Sequence, residues 1–275
     1  MSDLAGRTIL MSGGSRGIGL AIALRAARDG ANVALLAKTG EPHPRLQGTI
    51  HTAAEEIEAA GGHALAIVGD VRDDAAVTDA VERTAERFGA IDIVVNNASA
   101  IDVSPSTTIA MKRYDLMQDV NTRGTFLLSR SSVPYLREAG NPHVLTLSPP
   151  LSLDPKWYGP HLAYTLAKFG MSMCTLGMAA EHADTGIAFN SLWPRTIIAT
   201  AAVQNLLGGD AAMARSRRPE IVADAAHHIL TRPARTTTGH FFIDDEVLAD
   251  AGVTDLTSYA YVADADLQVD LFLDG

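Results

Sequence analysis

Residues 7 to 20 read RTILMSGGSRGIGL, and this stretch decides how the rest of the chain is interpreted. The first part is a short apolar run typical of a buried strand, and residues 18 to 28 are apolar and alanine-rich, as in a helix. Glycines between them permit a tight turn and a close backbone approach, and the helix start offers unpaired N–H groups to an anion. The stretch therefore predicts a nucleotide-binding turn. Its candidate binding residues are Gly13, Ser15, Arg16, Gly17, Ile18 and Gly19.

Short apolar runs alternate with helix-forming segments along the whole chain. Most runs are continuously apolar, as expected of central parallel strands covered on both faces. Strict alternation predicts a doubly wound parallel α/β sheet of the Rossmann type, with ligands bound beyond the carboxyl ends of the strands. The predicted strands are 8–11, 32–37, 64–69, 91–95, 143–147, 187–192 and 241–244. The predicted helices are 18–29, 51–60, 74–88, 111–138, 161–184, 200–207 and 219–231.

Composition and charge indicate one soluble domain. With 275 residues, 47% of them hydrophobic, the chain can bury a large core. A net charge of -10 argues against nucleic acid or anionic membrane as a partner, and no apolar run is long enough to span a bilayer. The single cysteine, Cys174, suits a reducing compartment, so we expect a cytoplasmic protein. His227 and His228 are not joined by a cluster of other ligands, so no metal site is expected.

The residues after the second predicted strand bear on the choice of cofactor. NAD-binding sites commonly place an Asp or Glu there to bind the ribose hydroxyls. This chain instead has Lys38, and Arg16 lies in the glycine turn. Two cations suit a 2′-phosphate, which favours NADP(H) over NAD(H), although each could be an ordinary solvated charge. Two prolines stiffen residues 41–50, which we expect to shield this end of the cofactor.

Polar residues also follow the later strands. Asp70 and Val71 come after the third strand, where the carboxylate could bind an adenine amino group or cap the next helix. Asn97 and Ala98 follow the fourth strand and are expected to shape the cofactor cleft. Ser148 ends the fifth strand, where it could orient a substrate carbonyl or close a turn ahead of two prolines.

Tyr164 and Lys168 are four residues apart in an apolar helical segment, so their side chains share one face. A phenol titrates near pH ~10, and a neighbouring ammonium group lowers that pKa towards neutrality. The pair therefore predicts acid/base catalysis. The alternative is an ordinary helix face whose lysine extends to solvent.

These motifs, in this order, resemble those of the short-chain dehydrogenase/reductase family over about residues 6 to 246. The motifs are Gly13-x-x-x-Gly17-Ile18-Gly19, Asn96-Asn97-Ala98, Asn121, Ser148 and Tyr164-x-x-x-Lys168. The stretch SPPLSLDP from residue 148, with Trp193-Pro194-Arg195-Thr196, looks closer to the hydroxysteroid dehydrogenase-like type 2 branch. The chain ends without the sterol-carrier domain that some members of that branch append.

The resemblance implies that Tyr164 is the catalytic acid/base and that Lys168 lowers its pKa and binds the nicotinamide ribose. It also implies that Asn121 holds a proton-relay water and that Ser148 orients the substrate carbonyl. Further expected cofactor contacts are Pro194, Thr196 and Ile197. The implied activity is an NADP(H)-dependent hydride transfer to or from a partly apolar carbonyl or secondary alcohol.

Two other functions are compatible with a dinucleotide fold. A nucleotide-sugar epimerase or dehydratase can use a similar tyrosine and lysine, but typically carries an additional C-terminal substrate domain. A cofactor-sensing regulator without turnover would have little use for Tyr164, Lys168 and Asn121 together.

Two positions depart from the family pattern. Ser148 lies further from the tyrosine than the family's serine usually does, so Ser152 is a competing hydroxyl. Arg195 stands where a glycine is usual, and either enters the cleft as an anion contact or points to solvent. We assign residues 1–252 to the oxidoreductase domain with its substrate loops. Residues 253–275 form a tail expected at the subunit interface of a homodimer or homotetramer.

Overall fold

The computed structural model describes residues 3–42 and 48–274. These ranges contain one sheet of seven parallel strands in the order β3-β2-β1-β4-β5-β6-β7. The doubly wound parallel sheet predicted from the sequence is therefore confirmed, and each predicted strand lies within two residues of an observed one. The strands are β1 (Thr8–Ser12), β2 (Asn32–Ala37), β3 (His63–Val68), β4 (Ile93–Asn96), β5 (His143–Thr146), β6 (Ala188–Trp193) and β7 (Phe241–Ile243).

The helices connect the strands and cover both faces of the sheet. Two short helices, α8 and α10, had no counterpart in the sequence prediction. The predicted helix 111–138 is divided into α4 and α5 by a π-helical stretch, Gln118–Arg123. The helices are α1 (Gly17–Ala27), α2 (Ile50–Ala59), α3 (Asp74–Phe88), α4 (Met111–Met117), α5 (Gly124–Leu136), α6 (Leu162–Glu181), α7 (Ala201–Leu206), α8 (Gly209–Ala214), α9 (Glu220–Leu230) and α10 (Asp244–Asp250).

Alternate residues of β1 point to opposite faces of the sheet and join separate cores. Ile9 and Met11 belong to a core that includes residues of α1, α2, α9 and α10. Leu10 belongs to a second core that includes residues of α3, α5 and α6. Because all three are fully buried, the strand has no polar face, which explains its continuously apolar sequence.

The strand order reverses between β1 and β4, which are hydrogen-bonded neighbours. The connections from these two strands leave towards opposite sides, so a crevice opens at their carboxyl ends. The glycine turn follows β1, and the Asn97-containing loop follows β4. The fold therefore places two of the predicted binding segments side by side.

The loop predicted to shield the cofactor is described only in part. Pro42 is described and exposed, whereas residues 43–47, which include Pro44, lie outside the described residues. No helix in residues 3–42 or 48–274 combines the length and apolar character needed to cross a bilayer.

Candidate active site

The glycine turn has no room for side chains at two of its three motif positions. Gly13 has a φ of 74°, in the left-handed region, and a Cβ there would lie 2.8 Å from the Ala98 Cα. A Cβ on Gly19 would lie 2.5 Å from the Asn97 Nδ2 and 2.8 Å from the Gly13 carbonyl oxygen. Gly17 also has a positive φ, of 57°, and faces Thr200. The three glycines thus keep the turn close to the end of β4 and leave the start of α1 uncovered.

Side-chain hydrogen bonds fasten the ends of β1 and β4 together. The Ser12 Oγ accepts from the backbone N–H groups of Asn97 at 3.2 Å and Ala98 at 3.1 Å. The Asn97 Nδ2 in turn donates to the carbonyl oxygens of Ser12 at 3.2 Å and Gly13 at 2.7 Å. Asn97 therefore fixes the shape of the glycine turn, the structural role expected for an amide at this strand end.

The two cations predicted to bind a 2′-phosphate lie at the same end of the crevice. The Arg16 Nη2 donates to the Gly48 carbonyl at 2.8 Å, and its Nε is buried with no protein partner among the described residues. Lys38 is 56% exposed and forms one ion pair with a residue that the structure describes, Asp70, at 3.7 Å. The exposed ammonium of Lys38 therefore retains donors that a bound anion could use, whereas the Arg16 Nε is occluded.

Asp70 forms its shortest contacts with Arg72. The Arg72 Nη2 donates to Oδ2 at 2.7 Å, and Nε donates to both carboxylate oxygens. These bonds lower the pKa of Asp70, so the carboxylate is ionised at neutral pH. The adjacent Val71 is buried in the core against Gly124. The helix-capping alternative for Asp70 is wrong, because the N-cap of α3 is Asp73.

A cavity of about 170 Å³ joins the start of α1 to Tyr164 and Lys168. Of the residues predicted from sequence, it is lined by Ile18, Asn97, Tyr164, Lys168, Pro194 and Ile197. Thr196 is buried beside it, and its Oγ1 has no partner among the described residues. The cavity is therefore bounded by the start of α1, at Ile18, and by the Tyr164 and Lys168 pair.

Burial determines the electrostatics of the Tyr164 and Lys168 pair. The Lys168 Nζ donates to the Leu147 carbonyl oxygen at 2.9 Å and lies 5.0 Å from the centre of the Trp193 ring. Burial lowers its pKa to about 7. The pKa of Tyr164 is raised by burial and by the charge of Asp270. This direction is opposite to the lowering predicted from the lysine, because burial and the negative charge of Asp270 both raise the pKa of the phenol.

Asn121 lies in the π-helical stretch between α4 and α5 and is fully buried. Its Oδ1 accepts from the Ala100 N–H at 2.7 Å, and its Nδ2 donates to the Ala100 carbonyl at 3.0 Å. The side chain thereby fixes the loop after β4. The proton-relay role stays a prediction.

The structure does not bring Ser148 to the cavity. Its Oγ is fully buried 2.9 Å from the Ser191 Oγ, which donates to the Thr175 Oγ1 at 2.9 Å. The hydroxyl sits in a closed network between β6 and α6 and does not line the cavity, so the carbonyl-orienting role stays a prediction that these contacts do not support. The competing Ser152 accepts from the Asp154 N–H at 3.2 Å, and it does not line the cavity either.

Neither position expected for Arg195 is observed. Its guanidinium group forms ion pairs with Asp245 at 3.1 Å and with Glu246, at the start of α10. Its backbone N–H donates to the Asp244 Oδ1 at 2.8 Å. Arg195 therefore fastens the loop after β6 to α10. This contact could not be predicted from the sequence, because no helix was predicted at 244–250.

The cavity also has walls that the sequence did not indicate. Asp270 and Leu271 come from the C-terminal segment, about a hundred positions beyond the catalytic helix. The only available signal was an acid within the apolar sequence VDLFL at 269–273, which we assigned to a subunit interface. Leu147 and Trp193 also line the cavity without having been predicted to do so. The remaining lining residues lie in the loops around 99–110 and 195–215, which the sequence predicts as pocket walls together with the loop around 149–160; they are Ser99, Ile101, Ile198, Thr200, Ala202, Val203 and Leu207.

Within the described part of the chain, no group of three metal-ligating side chains is present. His227, one of the adjacent histidines, has its Nε2 2.7 Å from Asp29 and so links α9 to the end of α1. Neither His227 nor His228 lines the cavity, and the contact of His227 with Asp29 is structural.

Comparison with known proteins gives concordant matches. The sequence profile described as short chain dehydrogenase matches residues 7–209. Hydroxysteroid dehydrogenase-like protein 2 from Danio rerio is 53% identical over 272 residues, which are 99% of this chain and 65% of that protein. The protein of the same name from Homo sapiens is 51% identical over 271 residues, 98% of this chain and 64% of that protein. This chain thus spans slightly under two thirds of the length of these relatives.

A solved structure agrees closely with the fold. A short chain dehydrogenase from Mycobacterium thermoresistibile is 57% identical and superimposes with a TM-score of 0.94, covering 99% of this chain and 96% of that one. The glycine turn and the tyrosine–lysine helix meet at one cavity, and both sequence and structure match the same group of enzymes. The chain belongs to the short-chain dehydrogenase/reductase family.

Proposed function

We propose that this protein is an NADP(H)-dependent oxidoreductase that transfers a hydride between nicotinamide and a carbonyl or secondary alcohol. The observation that carries the proposal is the cavity shared by Ile18, Tyr164 and Lys168. One end of it adjoins a helix start, which suits a pyrophosphate, and the other holds an acid/base pair.

The residues of the crevice fit a dinucleotide. Side chains are excluded at Gly13 and Gly19, so a phosphate can approach the backbone closely. The first N–H groups of α1 lack helical partners and are expected to bind the pyrophosphate. Lys168 and Asn97, which line the cavity, are placed to hold the nicotinamide ribose and ring. A bound nicotinamide supplies or accepts the hydride.

Tyr164 is the proposed proton donor to the substrate oxygen in reduction and the proton acceptor in oxidation. Its ring is buried, whereas its hydroxyl oxygen is not fully occluded. Lys168 stabilises the phenolate through its positive charge when protonated. Because burial lowers the pKa of Lys168 to about 7, contacts of Nζ that favour the charged form should directly influence activity.

The preference for NADP(H) over NAD(H) rests on Arg16 and Lys38. The guanidinium group of Arg16, whose Nη2 donates to the Gly48 carbonyl, precedes the start of α1, and the exposed ammonium of Lys38 follows the end of β2. We expect Lys38→Ala and Arg16→Ala to lower kcat/KM for NADPH about tenfold or more, with little change for NADH. An equal loss with both cofactors would argue for NAD(H).

The substrate is expected to be partly apolar. Trp193, Ile101, Val203, Leu207 and Leu271 line the cavity beyond the Tyr164 hydroxyl. Such a surface favours hydrocarbon around the reacting carbon and provides few polar groups for recognition.

The proposal is tested by turnover across a panel of ketones and secondary alcohols with NADPH or NADP⁺. Tyr164→Phe should abolish turnover while leaving cofactor affinity nearly unchanged, since the phenol and not the glycine turn is altered. Tyr135→Phe, on α5, is a matched control that should retain activity. Tight cofactor binding without turnover on any substrate would instead favour a cofactor-sensing regulator.

We also propose that the protein forms a homodimer or homotetramer through α6. Leu166, Met173 and Leu176 on this helix are 43%, 59% and 51% exposed, and Phe126 on α5 is 47% exposed. Large apolar side chains on one surface are a common feature of subunit interfaces. Leu166→Glu together with Met173→Glu should lower the mass measured by light scattering; an unchanged mass would exclude this face. A cytoplasmic location stays a prediction, to be tested by fractionation.

A further inference from the structure

The C-terminal segment 268–272 is held along the wall of the active-site cavity by hydrogen bonds. The Ile197 N–H donates to the Gln268 carbonyl at 3.0 Å, and the Asp270 N–H donates to the Arg195 carbonyl at 3.0 Å. The Trp193 indole donates to the Leu271 carbonyl at 2.8 Å. The segment is thus held by the backbone and side chains of the loop that follows β6.

Phe272 anchors the end of this segment beneath the catalytic helix. Its φ of 73° is unusual for a residue with a side chain, and its ring is buried. The ring centre lies 6.0 Å from that of Tyr164 and 5.2 Å from that of Phe169. A bulky residue held in this backbone region indicates that the surrounding packing fixes the segment firmly.

The segment places the carboxylate of Asp270 in the cavity with Tyr164 and Lys168. The Asp270 Oδ1 accepts from the Leu271 N–H at 2.7 Å, while Oδ2 accepts no hydrogen bond within the part of the chain that the structure describes. The carboxylate therefore has one oxygen fixed by the backbone and the other available to the cavity.

The charged and titratable groups around Asp270 are few. Lys168 and Tyr164 face it from α6, and Asp244 faces it from α10. Arg217 acts on Asp244, the Arg195 guanidinium is paired with the acids of α10, and His161 packs on the Phe272 ring. Among these, Lys168 is the cation whose charge interacts with Asp270.

We propose that Asp270 is a positioning residue of the active site: a carboxylate, delivered by the C-terminal segment, that holds the Lys168 side chain in its charged form within the cavity. The inference rests on the proposed function, because Lys168 matters to it as the partner of a catalytic phenol. Asp270 acts through Lys168 and Tyr164 across the cavity, without a direct ion pair.

The negative charge of Asp270 changes the pKa values of Lys168 and Tyr164 in the same direction. A negative charge raises the pKa of every neighbouring group, and it does so for both Lys168 and Tyr164. Burial raises the pKa of Asp270 itself to about 7, and the charge of Lys168 opposes that rise, so each group favours the charged form of the other. Removing the carboxylate should make Lys168 and Tyr164 lose their protons at lower pH.

The test is a pH titration of Lys168 by NMR of protein labelled with ¹³Cε-lysine. The chain has four lysines, and loss of one signal in Lys168→Met assigns the resonance. In Asp270→Asn, which can keep the bond from the Leu271 N–H, the Lys168 midpoint should fall by about one pH unit. Asp270→Glu keeps the negative charge, so its Lys168 midpoint should lie closer to the wild-type value than that of Asp270→Asn. Asp266 is exposed and paired with Arg215, so Asp266→Asn should leave the Lys168 midpoint at its wild-type value.

The pH profile of kcat/KM gives the second readout. If the protein turns over a substrate, Asp270→Asn should move the profile to lower pH in parallel with the Lys168 midpoint. An unchanged midpoint in a folded Asp270→Asn protein overturns the inference about Asp270. A shifted midpoint without turnover on any substrate supports it and instead contradicts the proposed function.

Discussion

The side-chain amide of Asn97 donates a 2.7 Å hydrogen bond to the carbonyl oxygen of Gly13. This bond joins the loop after β4 to the turn after β1, at the point where the strand order reverses. The same amide lies where a side chain on Gly19 would have to fit. Cofactor binding and the packing of the central strands therefore depend on one side chain.

Asn97→Ala should weaken cofactor binding about tenfold, or by about 1.4 kcal/mol, because it removes the hydrogen bonds to the Ser12 and Gly13 carbonyl oxygens and frees the turn. Calorimetric titration with NADP⁺ measures the change in Kd. Asn205→Ala, on the exposed face of α7, is the control and should bind normally. Equal affinity of the Asn97 variant would mean that the turn keeps its shape without the amide.

Gly19→Ala should impair cofactor binding more severely, since the new methyl group would lie 2.5 Å from the Asn97 Nδ2 and 2.8 Å from a carbonyl oxygen. Gly140→Ala is a matched control, because a Cβ there meets nothing within 4 Å and the residue has no positive φ. The control should change the free energy of unfolding by no more than about 1 kcal/mol and leave Kd unchanged. Normal binding by Gly19→Ala would show that the turn can move apart without penalty.

Ser148→Ala should reduce stability more than catalysis. The substitution leaves the Ser191 hydroxyl with one partner fewer in a buried network, which costs about 1–2 kcal/mol. Chemical denaturation and steady-state kinetics on the same sample separate the two effects, and kcat should change by less than about threefold. A hundredfold loss of kcat with unaltered stability would restore the carbonyl-orienting role; the same loss in Ser152→Ala would transfer it there.

Asp244→Asn should raise the free energy of unfolding at pH 8, and this gain over wild type should become smaller as the pH falls. Burial raises the pKa of Asp244 to about 6, above its usual value of 3.8, so ionisation in the folded state is costly. The penalty is complete above pH 6 and disappears as the pH falls through 6 towards 4, where wild type is protonated in the fold. We expect a gain of roughly 2 kcal/mol at pH 8 by urea denaturation. The exposed Asp250→Asn in the same helix should show no such trend.

The strands were predictable because a parallel strand covered on both faces is a continuous apolar run. This is clear for β1, where every residue is buried. The helices α8 and α10 are only six and seven residues long, too short to show a clear period. The break between α4 and α5 was not predicted because the π-helical stretch is itself helical, so the sequence around Asn121 still has a helical pattern.

The site was predictable where its geometry is local and not where it depends on distant contacts. Tyr164 and Lys168 share a helix face at a fixed spacing, so their proximity followed from the sequence. Ser148 lies just beyond a strand end, where the direction of a side chain depends on tertiary packing. Asp270 lines the same cavity as Lys168 only because the C-terminal segment folds back along it, and no local pattern encodes that path.

The central claim is that the Tyr164 ring lies beside the nicotinamide of a cofactor bound at the glycine turn. Magnetisation transfer by NMR, from the nicotinamide protons of bound NADP⁺ to ring-labelled tyrosine, measures this directly. The chain has six tyrosines, so Tyr164→Phe identifies the signal. We predict a cross-peak from the nicotinamide to Tyr164 that is lost in the variant. Saturating binding with cross-peaks only to other tyrosines, or to none, would contradict the account.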